Sequence, residues 1–265
     1  MRYSVITINY NNKDGLSKTI QSVINQKYND YEYIIIDGGS TDGSIDIIKE
    51  HVYGITYWIS EKDNGIYNAM NKGILVAKGD YCIFMNSGDC FHSPNVLEMI
   101  SQYSEDVING KVSRDDYPYP NGFFKDTITM IDLYRRSLEH QSSFIRRTLF
   151  ENCPYDENLK IVADWKFFIQ QIILNNCSFR NTDIIVADYD ISGISSNNLN
   201  LDKSERQKVL KELLPNRILL DYERFAYTDD CFIDIAQKVY PKRGAKKMIY
   251  LFSKFVLWLS NTIKI

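Results

Sequence analysis

The chain has 265 residues, enough for one large domain or one domain with a smaller appendage. Its 44% apolar and 25% charged content is that of a globular protein, and a net charge of −3 gives no footing for nucleic acid as the main partner. The five cysteines (Cys82, Cys90, Cys153, Cys177, Cys231) are scattered without C-x-x-C or Cys/His spacing, which argues against zinc and for reduced thiols. MRYSVITINY lacks the pattern of a signal peptide, and no run reaches the roughly 18 apolar residues of a membrane span. A cytoplasmic protein is expected.

Strand and helix patterns alternate through the first half. YSVITIN (3–9) is apolar and β-rich, NNKDG breaks it, and LSKTIQSVINQ (16–26) has helical spacing. YEYIIID (31–37) is a second strand, followed by GGSTDG and the amphipathic SIDIIKEH. ITYWIS (55–60) and IYNAMNKGILVA (66–77) make the third strand and helix, DYCIFMN (80–86) and PNVLEMISQY (94–103) the fourth. Runs apolar on both faces, separated by helices, predict a parallel sheet covered by helices up to about residue 104. Beyond it, VINGKV reads as a strand, DDYPYPNGFF as a loop, VADWKFFIQQIILNN (162–176) as a helix, and SFRNTDIIVADYDI (178–191) as an edge or returning strand. From Ser204 the pattern is helical. The expected division is 1–104, 105–200 and a helical extension over 201–265.

In open α/β sheets, ligands bind beyond the carboxyl ends of the strands. Those ends are polar throughout: Asn9-Tyr10-Asn11-Asn12, then Asp37-Gly38-Gly39-Ser40-Thr41-Asp42-Gly43, then Ser60 to Gly65, then Asn86-Ser87-Gly88-Asp89. Each alone suits an ordinary turn or helix cap, but three carboxylates, Asp37, Asp63 and Asp89, would meet on one rim. GGSTDG lacks the glycine spacing of a dinucleotide fingerprint, which disfavours a Rossmann dehydrogenase. A carboxylate after the second strand can accept the N–H of a nucleobase, and Asp89 can ligate a hard divalent cation that bridges a diphosphate.

SVITINYNN, IIIDGGSTDGS, DNGIYNAMNKGI, AKGDYCIFMNSGD and ADWKFF occur in that order. As an ordered set over roughly residues 1–195 they resemble the family 2 glycosyltransferases of GT-A fold that build bacterial surface polysaccharides. The resemblance implies an α/β fold with a mostly parallel nucleotide-binding sheet flanked by helices and followed by a helical C-terminal extension. It implies an inverting, metal-dependent enzyme using Mn²⁺ or Mg²⁺, a nucleotide-sugar donor (a UDP-sugar favoured) and a cell-surface glycan or lipid-linked acceptor. Carried over by position, Tyr10 packs on the base, Asp37 hydrogen-bonds it, and Asp63 lies near the nucleoside. Asn86 falls near the ribose with Ser87 beside it, Asp89 ligates the metal, and Asp164 is the catalytic base. His140 and Trp165 fall on the acceptor or diphosphate side, and SGISSNN (192–198) resembles a loop that closes over the donor. The departure lies in N-S-G-D, where most relatives have D-x-D-D. Fewer acidic ligands at 86 and 88 motivate an alternative, a non-catalytic nucleotide-sugar-binding or scaffold subunit of a glycan-assembly complex.

GAKKMIYLFSKFVLWLSNTIKI (244–265) gathers Lys247, Ser253, Lys254, Asn261 and Lys264 near one stripe, with apolar residues elsewhere. A wide apolar face edged by lysines suits an interfacial helix on anionic lipid. That would place the protein peripherally at the inner face of the plasma membrane. A helix docked on the catalytic domain, or on a homodimer partner, is the other expectation.

Overall fold

A computed structural model gives the fold, and it describes residues 1–114, 117–121, 127–190, 198–225, 247–248 and 250–254. β1 (Tyr3–Asn9) is buried along its whole length because it lies between two parallel partners, β2 (Tyr31–Asp37) and β4 (Tyr81–Phe84). Such a strand must be apolar on both faces, which is why YSVITIN does not alternate. β3 (Tyr57–Ser60) extends the parallel set beyond β2. The connecting helices are α1 (Lys13–Ile24), α2 (Ser44–Glu50) and α3 (Ile66–Val76). Asn12 caps α1 by accepting the Gly15 N–H at 3.1 Å, satisfying one of the donors a helix N-terminus leaves open.

Beyond β4 the sheet changes character. Its order is β3-β2-β1-β4-β8-β6-β9-β5, with β7 (Tyr117–Asn121) paired to β6 (Val107–Arg114). β8 (Ser143–Arg146) runs antiparallel to both β4 and β6, while β9 (Phe179–Asp188) runs parallel to β6. β5 (Cys90–Phe91) is antiparallel to β9. The parallel reading thus holds for β3-β2-β1-β4, and the rest of the sheet is mixed. α4 (Val96–Ile100) and α5 (Met130–Arg135) complete the middle of the chain.

The helix expected over 162–176 is α6 (Ala163–Phe168), continuing as a π-helical segment, Ile169–Leu174. Its first turn is anchored in an aromatic core: the Phe167 ring stacks on Phe150 at 4.6 Å, and Phe168 is fully buried. α7 (Leu199–Leu213) closes over α6. Glu205 accepts the N–H groups of Lys160 and Ile161 at 2.8 and 2.9 Å, and Lys166 pairs with Asp156 and Glu212. The chain forms two compact units, Met1–Leu219 and Leu220–Ile265, with α8 (Asn216–Phe225) spanning the division. Among the described residues no helix is long and apolar enough to cross a membrane. Most of the 244–265 tail lies outside them; Lys247, Met248 and Tyr250 to Lys254 are helical, and Met248, Tyr250, Leu251 and Phe252 are exposed.

Candidate active site

The carboxyl ends of β1 and β2 are joined by one side chain. Asp37 is fully buried. Its Oδ1 accepts from Asn9 Nδ2 (2.7 Å) and Ser40 Oγ (2.6 Å), and its Oδ2 accepts from Ser60 Oγ (2.6 Å), Ser40 N (2.9 Å) and Gly39 N (3.1 Å). Burial alone would raise its pKa, but these donors hold the carboxyl below its ordinary value. With five donors on two oxygens, Asp37 fixes the loop after β2 and offers no ready acceptor to a base.

Beside it lies an open slot. Tyr10, at the end of β1, is 67% exposed. A Cβ on Gly38 would stand 2.5 Å from Asp63 Oδ2 and 3.1 Å from the Tyr10 ring. Only glycine lets these two side chains close on position 38. The result is an aromatic face next to a half-buried carboxylate.

The loop after β4 continues the ladder, with Met85 N donating to Ile6 O and Ser87 N to Ile8 O. Asn12 Nδ2 then donates to Ser87 O, and Ser87 Oγ to Asn12 O. Thr19 Oγ1 takes the Gly88 N–H at 3.0 Å and lies 2.7 Å from Asp89 O. Asp89, 4% exposed, accepts the Asp190 N–H at 2.9 Å, and the buried Gln141 side chain stands near it. Burial pushes its carboxyl up to about 6; the Asp190 N–H, His140 and Gln141 oppose this, and the neighbouring Asp190 carboxylate adds to it.

Asp190 is the residue that sequence reasoning missed. Its signal was faint: an acid at the end of ADYD, a hundred residues from Asp89 in the chain. The antiparallel register Cys90↔Asp188 and Phe91↔Ala187, continued by two residues, sets Asp190 opposite Gly88. Gly88 has φ 111°, and a Cβ there would lie 2.4 Å from Asp190 Oδ2. Two carboxylates, one of them buried with a raised pKa, are the donors a hard divalent cation takes. No group of three His, Cys, Asp or Glu ligands occurs among the described residues, so a cation here needs phosphate and water oxygens as well. The donor set fits Mg²⁺ or Mn²⁺ on those terms.

Asp164, in the first turn of α6, is 13% exposed at its side chain. Its Oδ1 accepts from Trp165 N (2.9 Å) and shares the single Tyr67 hydroxyl proton (3.0 Å) with the Ile161 carbonyl (2.6 Å), and its Oδ2 faces His140 Nδ1 at 3.1 Å. A carboxylate has about four acceptor positions; three are filled, and the one left is on Oδ2. Burial would raise the Asp164 pKa, but His140, the Trp165 N–H and Tyr67 bring it below its ordinary value. Burial would lower that of His140, but Asp164 foremost, with Asp89 and Glu139, raises it. The other ring nitrogen, Nε2, lies 3.0 Å from Asn86 Nδ2.

The structure therefore brings Asp89, Asn86, His140 and Asp164 into one connected cluster and puts Tyr10 and Asp63 together at the slot. Trp165 is not an acceptor platform: it is 1% exposed, its Nε1 donates to Leu133 O at 2.6 Å, and Arg206 lies 4.5 Å over its ring. It is a core anchor for the turn that carries Asp164. The loop expected to close over a donor, 192–198, lies outside the described residues except for Asn198.

Known proteins resemble this chain in the same region. The sequence model of the family described as "Glycosyl transferase family 2" matches residues 4–156. An uncharacterized glycosyltransferase of Mycobacterium tuberculosis is 32% identical over 209 residues, covering 73% of this chain and 76% of the relative. The poly(ribitol-phosphate) β-N-acetylglucosaminyltransferase TarP of Staphylococcus aureus is 29% identical over 226 residues, covering 77% and 67%. Among solved structures, S. aureus TarS 1–349 in complex with UDP-GlcNAc has a TM-score of 0.66 at 19% identity over 79% of this chain and 64% of TarS 1–349. The mannosyltransferase PcManGT of Pyrobaculum calidifontis, with GDP-Man and Mn²⁺, has a TM-score of 0.62 at 11% identity over 97% of this chain and 80% of its own. At those identities the structures establish a shared GT-A fold.

Proposed function

The chain belongs to glycosyl transferase family 2, and we propose that this glycosyltransferase is inverting and metal-dependent, moving a sugar from a nucleotide-sugar donor to a hydroxyl of a cell-surface glycan or lipid-linked acceptor. The observation that carries this reading is Asp164: a buried, ionised carboxylate with one acceptor position open, linked through His140 and Asn86 to the loop that holds Asp89. An inverting transfer needs one base to deprotonate the acceptor hydroxyl, whose oxygen attacks opposite the leaving diphosphate, and no nucleophile from the protein. Asp164 is that base. Tyr67, whose phenol burial and Asp164 keep well above its ordinary pKa, stays protonated and holds the carboxylate in place.

At the donor end, the Tyr10 ring stacks on the base while Asp63 accepts its N–H, the part expected of Asp37, whose oxygens are already taken. Asp89 and Asp190 would hold Mn²⁺ or Mg²⁺, which would neutralise charge gathering on the departing diphosphate. UDP is the favoured nucleotide, in keeping with the UDP-GlcNAc complex of TarS. The exposed Met248, Tyr250, Leu251 and Phe252, edged by Lys247 and Lys254, are the part of the tail that would rest on anionic lipid.

A thermal-shift panel of UDP-, GDP- and dTDP-sugars with and without MnCl₂ tests base identity and metal dependence together. Stabilisation by a UDP-sugar only when Mn²⁺ is present is expected; no response to any of them removes the donor reading. Asp164→Asn should lower kcat by at least about 100-fold with donor affinity unchanged. Transfer at the wild-type rate would remove Asp164 as base.

A further inference from the structure

We propose that His140 is a positioning residue for Asp164, gripped at its two ring nitrogens by Asp164 and by Asn86, so that the side chain at position 86 serves the base and not the donor's ribose. The inference rests on the functional reading of Asp164 given above.

The geometry has three parts. First, both nitrogens of His140 meet side chains of the site, Nδ1 at 3.1 Å from Asp164 Oδ2 and Nε2 at 3.0 Å from Asn86 Nδ2. A histidine that only fills a core has no need to spend both nitrogens on the residues that line a catalytic cleft. Second, the Asn86 amide nitrogen is committed to the ring, and its Oδ1 is buried with no partner among the described residues. An aspartate at 86 would set a second carboxylate against the imidazole, where it would compete with Asp164 for the ring. Third, His140 opens the short 3-10 turn His140–Ser142, and the next residue, Gln141, is buried near Asp89, where it opposes the rise of that carboxyl's pKa. One turn thus reaches the base with one residue and the donor-side carboxylate with the next. The charged groups facing His140 are Asp164 from α6, Asp89 from the loop after β4, and Glu139 beside it in the chain.

In this arrangement Nδ1 keeps its proton and donates it to Oδ2, holding the carboxylate so that its remaining acceptor position points where an incoming hydroxyl must lie. A misplacement of about 1 Å in such a group costs on the order of 100-fold in rate. The role is one of aim. His140 does not touch the substrate.

The first test needs no substrate. The full chain contains His51, His92 and His140, so long-range ¹H–¹⁵N spectra of histidine-labelled protein resolve each ring, with His140→Asn or His140→Gln giving the assignment. A proton on Nδ1 of His140 in wild type, displaced by Asp164→Asn, is expected. A neutral ring protonated only at Nε2 overturns the proposal. The second test uses amide mimics on full-length protein, with the UDP-sugar and MnCl₂ that the thermal panel selects. The amide nitrogen of Asn falls near the Nδ1 position, and that of Gln near Nε2. His140→Asn should therefore keep kcat within about 10-fold, while His140→Gln and His140→Ala lose about 100-fold, all with donor KM and Mn²⁺ affinity within twofold of wild type. Equal losses in Asn and Gln variants, or losses confined to KM, would indicate a purely structural histidine and overturn the role. Asn86→Ala should lower kcat with UDP affinity intact; a fall in UDP affinity alone would return Asn86 to the ribose. A wild-type protein with Nδ1 protonated that binds no nucleotide-sugar would remove the reading of the site, and the positioning role with it. An Nε2–H ring in a protein that does bind one would remove this proposal alone.

Discussion

At the residue scale, Asp89 shows what the site costs the fold. Its carboxyl is pushed up from 3.8 to about 6 by burial, so the folded protein binds a proton there more tightly than the unfolded chain does. With fewer protons bound in the unfolded state between pH 4 and 6, this group's contribution to stability falls as pH rises through that window. Above pH 6 it amounts to a penalty of about 3 kcal/mol at 1.36 kcal/mol per pKa unit. Asp37 and Asp164, held below their ordinary values, contribute with the opposite sign and lose their stabilisation as pH falls. Asp89→Asn should therefore raise the Tm of the metal-free protein at pH 7 by roughly 6–12 °C while abolishing Mn²⁺ binding. A lower Tm would show that the buried charge is better compensated than these partners suggest. In wild type, Mn²⁺ affinity should weaken as pH drops through 6, because the proton competes for the same oxygens.

Some of these residues could be read from the chain and some could not. Asp37, Asp63 and Asp89 announce themselves because each follows a β-rich run, where the topology of an α/β sheet puts ligands. The pattern says which rim a residue is on, however, and not how many donors it has already met. Asp37 was legible in place and illegible in role for that reason. Asp190 was illegible in place, since its partner across the sheet is set by a register between strands far apart in sequence.

At the scale of elements, the first four strands were legible because continuous apolar runs of β-branched residues bounded by Gly and Asn have few other outcomes. The mixed half was not: β8 is short and β9 half-exposed, and only pairing tells β6's parallel neighbour from its antiparallel one. The single helix expected over 162–176 hides the change to π geometry at Ile169, since apolar spacing hardly differs over two turns. The aromatic anchor of α6 makes a specific prediction. Trp165→Ala would empty a fully buried site and free the Leu133 carbonyl, costing about 3–5 kcal/mol. Because the lost support lies under Asp164, kcat should fall in step with the lost order of this turn. UDP affinity, proposed to be set at Tyr10 and Asp63, should hold. If affinity falls equally, the two ends of the site are not independent.

For the whole molecule, charge and surface set the remaining expectations. The tail residues Met248, Tyr250, Leu251 and Phe252 carry the apolar face, so the full chain should sediment with vesicles containing anionic lipid and lose this when residues 244–265 are removed. Equal sedimentation of the shortened protein would show that the tail faces protein. A net charge of −3 does not by itself draw the protein to such a surface; lysines gathered on one short segment are needed.

The pairing of β5 with β9 has a consequence in the order of synthesis. Residues 4–156 hold the slot at Tyr10 and Asp63 and the buried Asp89, yet the partner of Gly88 comes at 190 and the proposed base at 164. A nascent chain can thus bring Tyr10 and Asp63 together early, whereas Asp164 follows on α6 and Asp190 only after β9, the strand that pairs with β5. A product truncated after residue 160 should retain at most weak, Mn²⁺-independent UDP binding and turn over no donor, which a titration with and without MnCl₂ would show.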